Sequence, residues 1–211
     1  MVSQERITFD PETHTYTLDG HEAPSVTEIT RFLHYKAEYA DKESRDRAAR
    51  RGTAIHEATA LLDYGEEVEI ENELSGYLIA WKQFKKDYHF DVYEIERMVG
   101  GKLWLDDYDT MGALCGTIDR VGFIEKIPCI VDIKTGSKIN KIALQAQLSA
   151  YSILRSTETD IETIRNLLGV QLKKDGTYTT YQAPFNVVLV RNLYQLHIME
   201  QEAKKKWKLT V

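Results

Sequence analysis

The stretch Ile130-Val131-Asp132-Ile133-Lys134 decides how this chain is read. Alternation along a β-strand puts positions 132 and 134 on one face and Val131 and Ile133 on the other. A carboxylate and an ammonium two residues apart then converge on one point. A core strand ordinarily avoids that arrangement, because an unpaired charge on a buried face costs several kcal/mol. Taken alone, Asp-x-Lys also fits a surface ion pair on an edge strand.

Upstream, Gly116-Thr117-Ile118-Asp119 sets a second carboxylate among Ile118, Val121 and Phe123. Two antiparallel strands, 114–124 and 129–134, joined by a short turn at Lys126-Ile127-Pro128, bring Asp119 and Asp132 close together. Two adjacent carboxylates repel unless a positive charge lies between them. A divalent cation supplies it, and hard carboxylate oxygens suit Mg²⁺ or Mn²⁺. Downstream, Gln147 and Tyr151 stand i,i+4 on the helix after the Asp-x-Lys strand. From there Gln147 can orient Lys134 or a phosphate, although Gln-x-x-x-Tyr is also an ordinary helix face with one core tyrosine. Further back, His56 follows Arg51-Gly52-Thr53-Ala54-Ile55. Amid small and apolar residues it reads either as a structural histidine or as a nitrogen ligand for a Mn²⁺-like ion. Gly52, one turn earlier, would let another element approach the imidazole.

The surrounding pattern is that of an α/β chain. Residues 6–9 and 15–18 are β-prone around Asp10-Pro11. Ser25 and Glu28 form a capping box ahead of a short helix, Val26 to Leu33. Helices are expected over 37–62 and 73–88, a strand over 92–98, the two strands already described, and a helix over 139–154. A hairpin around Lys174-Asp175-Gly176 (164–172 and 177–181) and a helix over 186–206 follow. The order predicts a mixed central sheet flanked by helices, its early strands antiparallel because their connections are short. A single domain fits 211 residues: an amino-terminal hairpin at 6–18, a core at about 24–155, and a carboxy-terminal hairpin and helix at 160–207.

Composition narrows the class further. With 43% hydrophobic and 10% aromatic residues, the chain can bury a core. No apolar run approaches a membrane span, and the first residues lack a basic segment followed by an apolar one, so a cytoplasmic location is expected. Cys115 and Cys129 lie in apolar strand-like surroundings and read as buried thiols, a disulfide requiring an oxidising compartment. An iron–sulfur cluster needs four thiolates, or two thiolates and two histidines, and is not expected. The net charge of −6 is not that of a nucleic-acid binder, but basic residues gather locally at Arg50 and Arg51, at Lys138 and Lys141, and at Lys204-Lys205-Lys206. An acidic metal site in a locally basic groove would give the same total. The 204–208 run reads better as a solvated helix end.

Together, Gly52-x-x-x-His56, Glu96, Gly116-x-x-Asp119, Asp132-x-Lys134 and Gln147-x-x-x-Tyr151 resemble, in order, the RecB-like nucleases of the PD-(D/E)XK superfamily. Pro24-Ser25-Val26-Thr27 is similar to an element that precedes the histidine helix in phage-type and mitochondrial genome maintenance exonucleases. The motifs span about residues 24–155, and the last 55 or so match nothing specific. The resemblance implies a restriction-endonuclease-like core and a DNA nuclease, in all expectation an exonuclease acting on linear or single-stranded ends in recombination, repair or phage DNA metabolism. Recombination or replication proteins would be its partners.

It also implies roles. His56, Asp119, Asp132 and the Ile133 carbonyl would hold the metal, and Glu96 would take the family's first acidic position, with Glu94 as rival. Lys134 would act as base or as charged stabiliser, and Gln147 and Tyr151 would support it. Lys138, Lys141 and Arg50 or Arg51 would line the DNA groove. The family often carries Glu four residues after the histidine, where this chain has Ala60. That departure leaves a second possibility, a catalytically inactive DNA-binding or regulatory subunit of the same fold.

Overall fold

The computed structural model describes residues 7–33, 42–105, 111–158 and 162–208. Arg6 and positions 37–41, assigned above to a strand and a helix, lie outside them. The amino-terminal hairpin forms as β1 (Ile7–Asp10) and β2 (Thr15–Leu18), and β2 pairs onward with an unanticipated β3 (His21–Ala23). The short helix α1 (Val26–Thr30) carries the expected capping box: Ser25 Oγ accepts from the Glu28 N–H, and Glu28 accepts from the Ser25 N–H. Then come α2 (Lys42–Asp63), α3 (Ser75–Tyr88), β4 (Phe90–Trp104), β5 (Met111–Ile124) and β6 (Ile127–Lys134). The chain continues through α4 (Lys141–Glu158), β7 (Asn166–Leu172), β8 (Tyr178–Ala183) and α5 (Val187–Lys208).

The main sheet has the order β4-β5-β6-β7-β8, with β6 and β7 parallel and every other pair antiparallel. This is the mixed sheet flanked by helices that the pattern predicts. The single parallel step is the one whose connection contains a helix, α4, as crossover geometry requires. Two local expectations fail. The turn between β5 and β6 is Glu125-Lys126 alone, both residues left-handed at φ 49° and 69°. That is the two-residue hairpin geometry that matches strand twist, so Ile127 and Pro128 belong to β6. The fourth strand also extends well beyond 92–98, because β5 offers a partner as far as Met111 opposite Trp104.

Strand alternation sorts the core into two layers. Cys129, Val131 and Ile133 of β6 join Ile55 of α2 and Trp81 and Phe84 of α3 on one face. Ile130, from the other face, joins Leu144, Leu148 and Tyr151 of α4 together with α1 and α5. Asp132 therefore faces the α4 layer, and α4 follows it closely in the chain. The small amino-terminal sheet docks on β5 through the Cys115 N–H to the Pro24 carbonyl, with Leu18 and Ala23 packed on Cys115. Among the described residues, no helix is long and apolar enough to cross a membrane.

Candidate metal centre

The β5–β6 register runs from Ile124 opposite Ile127 to Arg120 opposite Val131. One step further would place Asp119 opposite Asp132, and there the strands part. The Asp119 carboxylate replaces the ladder, its Oδ2 accepting from the Ile133 N–H at 2.7 Å. On the other side of β5, Ile95 faces Arg120 and Arg97 faces Ile118, so Glu96 belongs to the same rung as Asp119. Three carboxylates thus share one line across β4, β5 and β6.

Glu96 pays for its position with a left-handed backbone, φ 46° in mid-strand. Such conformations cost on the order of 1–3 kcal/mol for a non-glycine residue and persist where the surroundings impose them. The bend breaks alternation and separates the two rivals of β4. Glu94 forms a two-point pair with Arg155, at 2.9 and 3.1 Å, whereas Glu96 accepts from Arg120 Nη1 at 2.8 Å and faces His56. Of the two, Glu96 is the one at the centre.

His56 reaches the rung from α2. Its Nε2 lies 3.1 Å from the Ile133 carbonyl, which can only accept, so the proton is on Nε2. Nδ1 points at Asp119 Oδ1 (3.5 Å) and Glu96 Oε1 (3.8 Å). In the neutral ring this leaves Nδ1 as a free donor atom, oriented by a carbonyl on its other nitrogen. The Ile133 carbonyl, expected as a metal ligand, is here engaged by the imidazole. Without a cation, Asp119 and then Glu96 outweigh burial and hold the imidazole up to about 9. Ligand atoms of His56, Glu96 and Asp119 all lie within 4.8 Å of one another, the dimension of a site for one ion.

Asp132 and Lys134 adjoin this cluster. Asp132 is 1% exposed and pairs with Lys134 Nζ at 2.8 Å; neither of its buried oxygens has any other donor. Burial pushes its carboxyl up, with Lys134 opposing and Asp119 adding to the shift. For Lys134, burial would lower the ammonium, but Asp132 and Asp119 prevail and hold it above the ordinary lysine value. Its Nζ also donates to Gln147 Oε1 at 3.0 Å, and Gln147 Nε2 donates to Tyr151 OH at 3.1 Å. The i,i+4 pair of α4 is thus a relay that fixes the ammonium. Gly116 makes room for it, since a Cβ there would fall 2.7 Å from the Tyr151 ring. Gly52 is under no such demand: a Cβ would meet only Thr135 Oγ1, at 3.7 Å.

Sequence patterns did not reveal what stands behind the centre. Arg120 is fully buried, and its guanidinium donates to Asp63 Oδ2 (2.6 Å), Glu96, the Asp119 carbonyl (2.6 Å) and Thr59 Oγ1 (3.1 Å). Asp63 further accepts from Trp81 Nε1 at 3.0 Å and from Lys85. The signal was an arginine directly after Asp119 in an apolar strand, which needed a buried acid to be tolerated. The residues expected on a basic rim do not line the cavity itself. Arg50, Lys138 and Lys141 are exposed and Arg51 is half-buried, yet none lines the cavity of about 570 Å³ that opens on the centre. Its lysine and arginine side chains are Lys134 and Arg31, and Phe9, His14 and Tyr16 of the amino-terminal hairpin also line it.

No protein-family model matches this chain, and no curated protein does. A solved protein described as the crystal structure of SSO0001 aligns with a TM-score of 0.50 at 17% identity, over 85% of this chain and 76% of that one. At that identity the likeness is one of fold alone.

Proposed function

We propose that this protein is a metal-dependent nuclease that hydrolyses phosphodiester bonds in DNA, acting as an exonuclease. One observation carries the reading: His56, Glu96 and Asp119, from three elements, bring ligand atoms within 4.8 Å of one another, beside Asp132 and a lysine fixed by Asp132 and Gln147. The donor set fits a hard divalent ion, Mg²⁺ or Mn²⁺, because oxygen ligands predominate and the buried Asp132 carboxylate has no partner besides Lys134. His56 Nδ1, Glu96 and Asp119 would hold the ion, with Asp132 alongside. When bound, the ion supplies Lewis acidity toward water and toward a phosphoryl oxygen.

The chain's own residues do the rest. Lys134, held charged by two carboxylates, is suited to stabilise negative charge on a phosphoryl oxygen rather than to remove a proton. Gln147 and Tyr151 keep it aimed, and Arg120 holds Glu96 against its strained backbone. Partners in recombination or replication, as the family resemblance implies, belong to the same proposal.

The test is digestion of end-labelled linear, circular, single-stranded and duplex DNA by the purified protein in Mg²⁺, Mn²⁺ or EDTA. Metal-dependent release of nucleotides from linear DNA alone is the expected result. Binding without turnover would favour the inactive subunit, for which Ala60 speaks; neither would refute both.

A further inference from the structure

Part of the cavity lining is aromatic. Phe9 and Tyr16 are cross-strand partners on β1 and β2, their ring centroids 4.6 Å apart, and the His14 ring lies 5.6 Å from that of Phe9. Ile7 and Leu18, on the same face of the hairpin, are covered by the packing on β5. Phe9 continues that face beyond the covered part and is 36% exposed, lining the cavity. The platform is anchored to the centre: Tyr16 OH bonds Thr117 Oγ1 at 2.9 Å. Thr117 and Asp119 are two residues apart on β5, roughly 7 Å along a strand. The cavity thus offers ring faces as well as the ionic groups of the centre. A nucleotide presents both a phosphodiester and a base.

We propose that Phe9, flanked by His14 and Tyr16, is a stacking platform for an unpaired nucleobase next to the bond at the metal centre, so that the substrate is a single-stranded stretch or end. This rests on the nuclease reading; single-stranded ends are what the family resemblance implies, and Phe9 is added as the residue that would contact the base. Stacking needs a free ring face, which a base inside a duplex does not offer. The volume lies within the few hundred to about 1,000 Å³ usual for sites enclosing a small organic group. A cross-strand aromatic pair also stabilises a hairpin; that role alone would leave base-dependent binding unaffected.

The experiment measures affinity of the full chain, by fluorescence anisotropy in Ca²⁺, for labelled oligothymidylate, an abasic strand of equal length and a blunt duplex. Parent protein should prefer oligothymidylate to both others. Phe9→Ala and Phe9→Leu should each weaken oligothymidylate binding by roughly 5- to 150-fold, the equivalent of about 1–3 kcal/mol per stacked base, with the abasic strand little changed. Phe9→Trp should restore it, and thermal unfolding of each variant checks the hairpin. Equal affinity for base-bearing and abasic strands, equally tight duplex binding, or parent-like binding by both Phe9→Ala and Phe9→Leu would overturn the platform. The two readings fail separately. A protein that cleaves nothing yet shows base-dependent, Phe9-dependent binding refutes the nuclease and keeps the platform; cleavage with Phe9-independent binding does the reverse.

Discussion

Two buried arginines clamp the two acids of β4, and they do so on opposite layers of the molecule. Arg155 of α4 holds Glu94 at two points and lies 5.8 Å over the Tyr93 ring. Arg120 of β5 holds Glu96 and Asp63 and lies 5.8 Å over the Trp81 ring. The chemistry is nearly the same: a guanidinium, a carboxylate two residues from its counterpart, an aromatic face. The difference is what the acid does next. Glu94 is held by Arg155 and lines neither the cavity nor the metal cluster, whereas Glu96 is bent out of the strand to face His56 and Asp119. Buried ion pairs of this kind are weak evidence of stability, because desolvation offsets much of the attraction. The second pair is better understood as positioning.

The largest difference between the two should appear on removal of the guanidinium. Arg120→Met leaves Asp63 and Glu96 without their main cation and should cost about 3–5 kcal/mol, as breaking a buried pair does. It should also weaken Mn²⁺ binding at least tenfold. Arg155→Met should cost roughly 1–3 kcal/mol, the range of charge-assisted hydrogen bonds, and leave Mn²⁺ affinity unchanged. Urea unfolding and calorimetric titration check both. A parent-like Mn²⁺ affinity in folded Arg120→Met would break the comparison.

Changing the acids instead of the arginines sharpens it. Glu96→Gln keeps a hydrogen-bond acceptor for Arg120 but loses a charge from the cluster, so metal affinity should fall on the order of tenfold. Glu94→Gln should leave metal affinity and any cleavage within about twofold of the parent, with a stability change of about 1 kcal/mol. Equal losses in the two variants would mean that the rung does not distinguish them.

A smaller, pH-dependent effect follows from His56. Its imidazole is held up to about 9 by Asp119 and Glu96. A group whose value is raised on folding stabilises fully below its unfolded value, about 6.5, and loses that stabilisation as pH rises through about 9. Metal-free protein should therefore lose stability across that window, and His56→Gln should flatten the loss. A metal ion must displace the same proton, so Mn²⁺ affinity should rise with pH up to about 9, and calorimetry in buffers of different ionisation heat should count about one proton released. A histidine at its ordinary value would instead restrict the dependence to pH below about 6.5.

Much of the centre could be read from local rules. Period-two alternation aligned Asp132 with Lys134, a short hairpin brought Asp119 across from them, and helical spacing aligned Gln147 with Tyr151. Each depends on neighbours within one element or one turn. The choice of Glu96 over Glu94 could not be read so, because it hangs on a single left-handed residue that alternation does not anticipate. Arg120 was hidden because its counter-ion, Asp63, comes from a helix 57 residues earlier. The cavity lining was hidden for a similar reason. Charge clusters at 50–51 and 138–141 are easy to see in a sequence, but the docking of the amino-terminal sheet on β5 joins Tyr16 to Thr117, across 101 residues. That contact brings Phe9, His14 and Tyr16 into the cavity lining, which Lys138 and Lys141 do not join.

The central claim is that the rung of acids is a hydrolytic metal centre. It is tested most directly by following nucleotide release from end-labelled linear DNA in Mn²⁺ by parent protein and by Asp132→Ala, purified side by side. The parent should release nucleotides and stop in EDTA. Asp132→Ala should lose at least about 10³-fold in rate, some 4 kcal/mol of transition-state stabilisation, while unfolding at or above the parent's temperature, because polar residues at functional sites seldom contribute net stability. No release by the parent under any metal, or parent-like release by Asp132→Ala, would contradict the account.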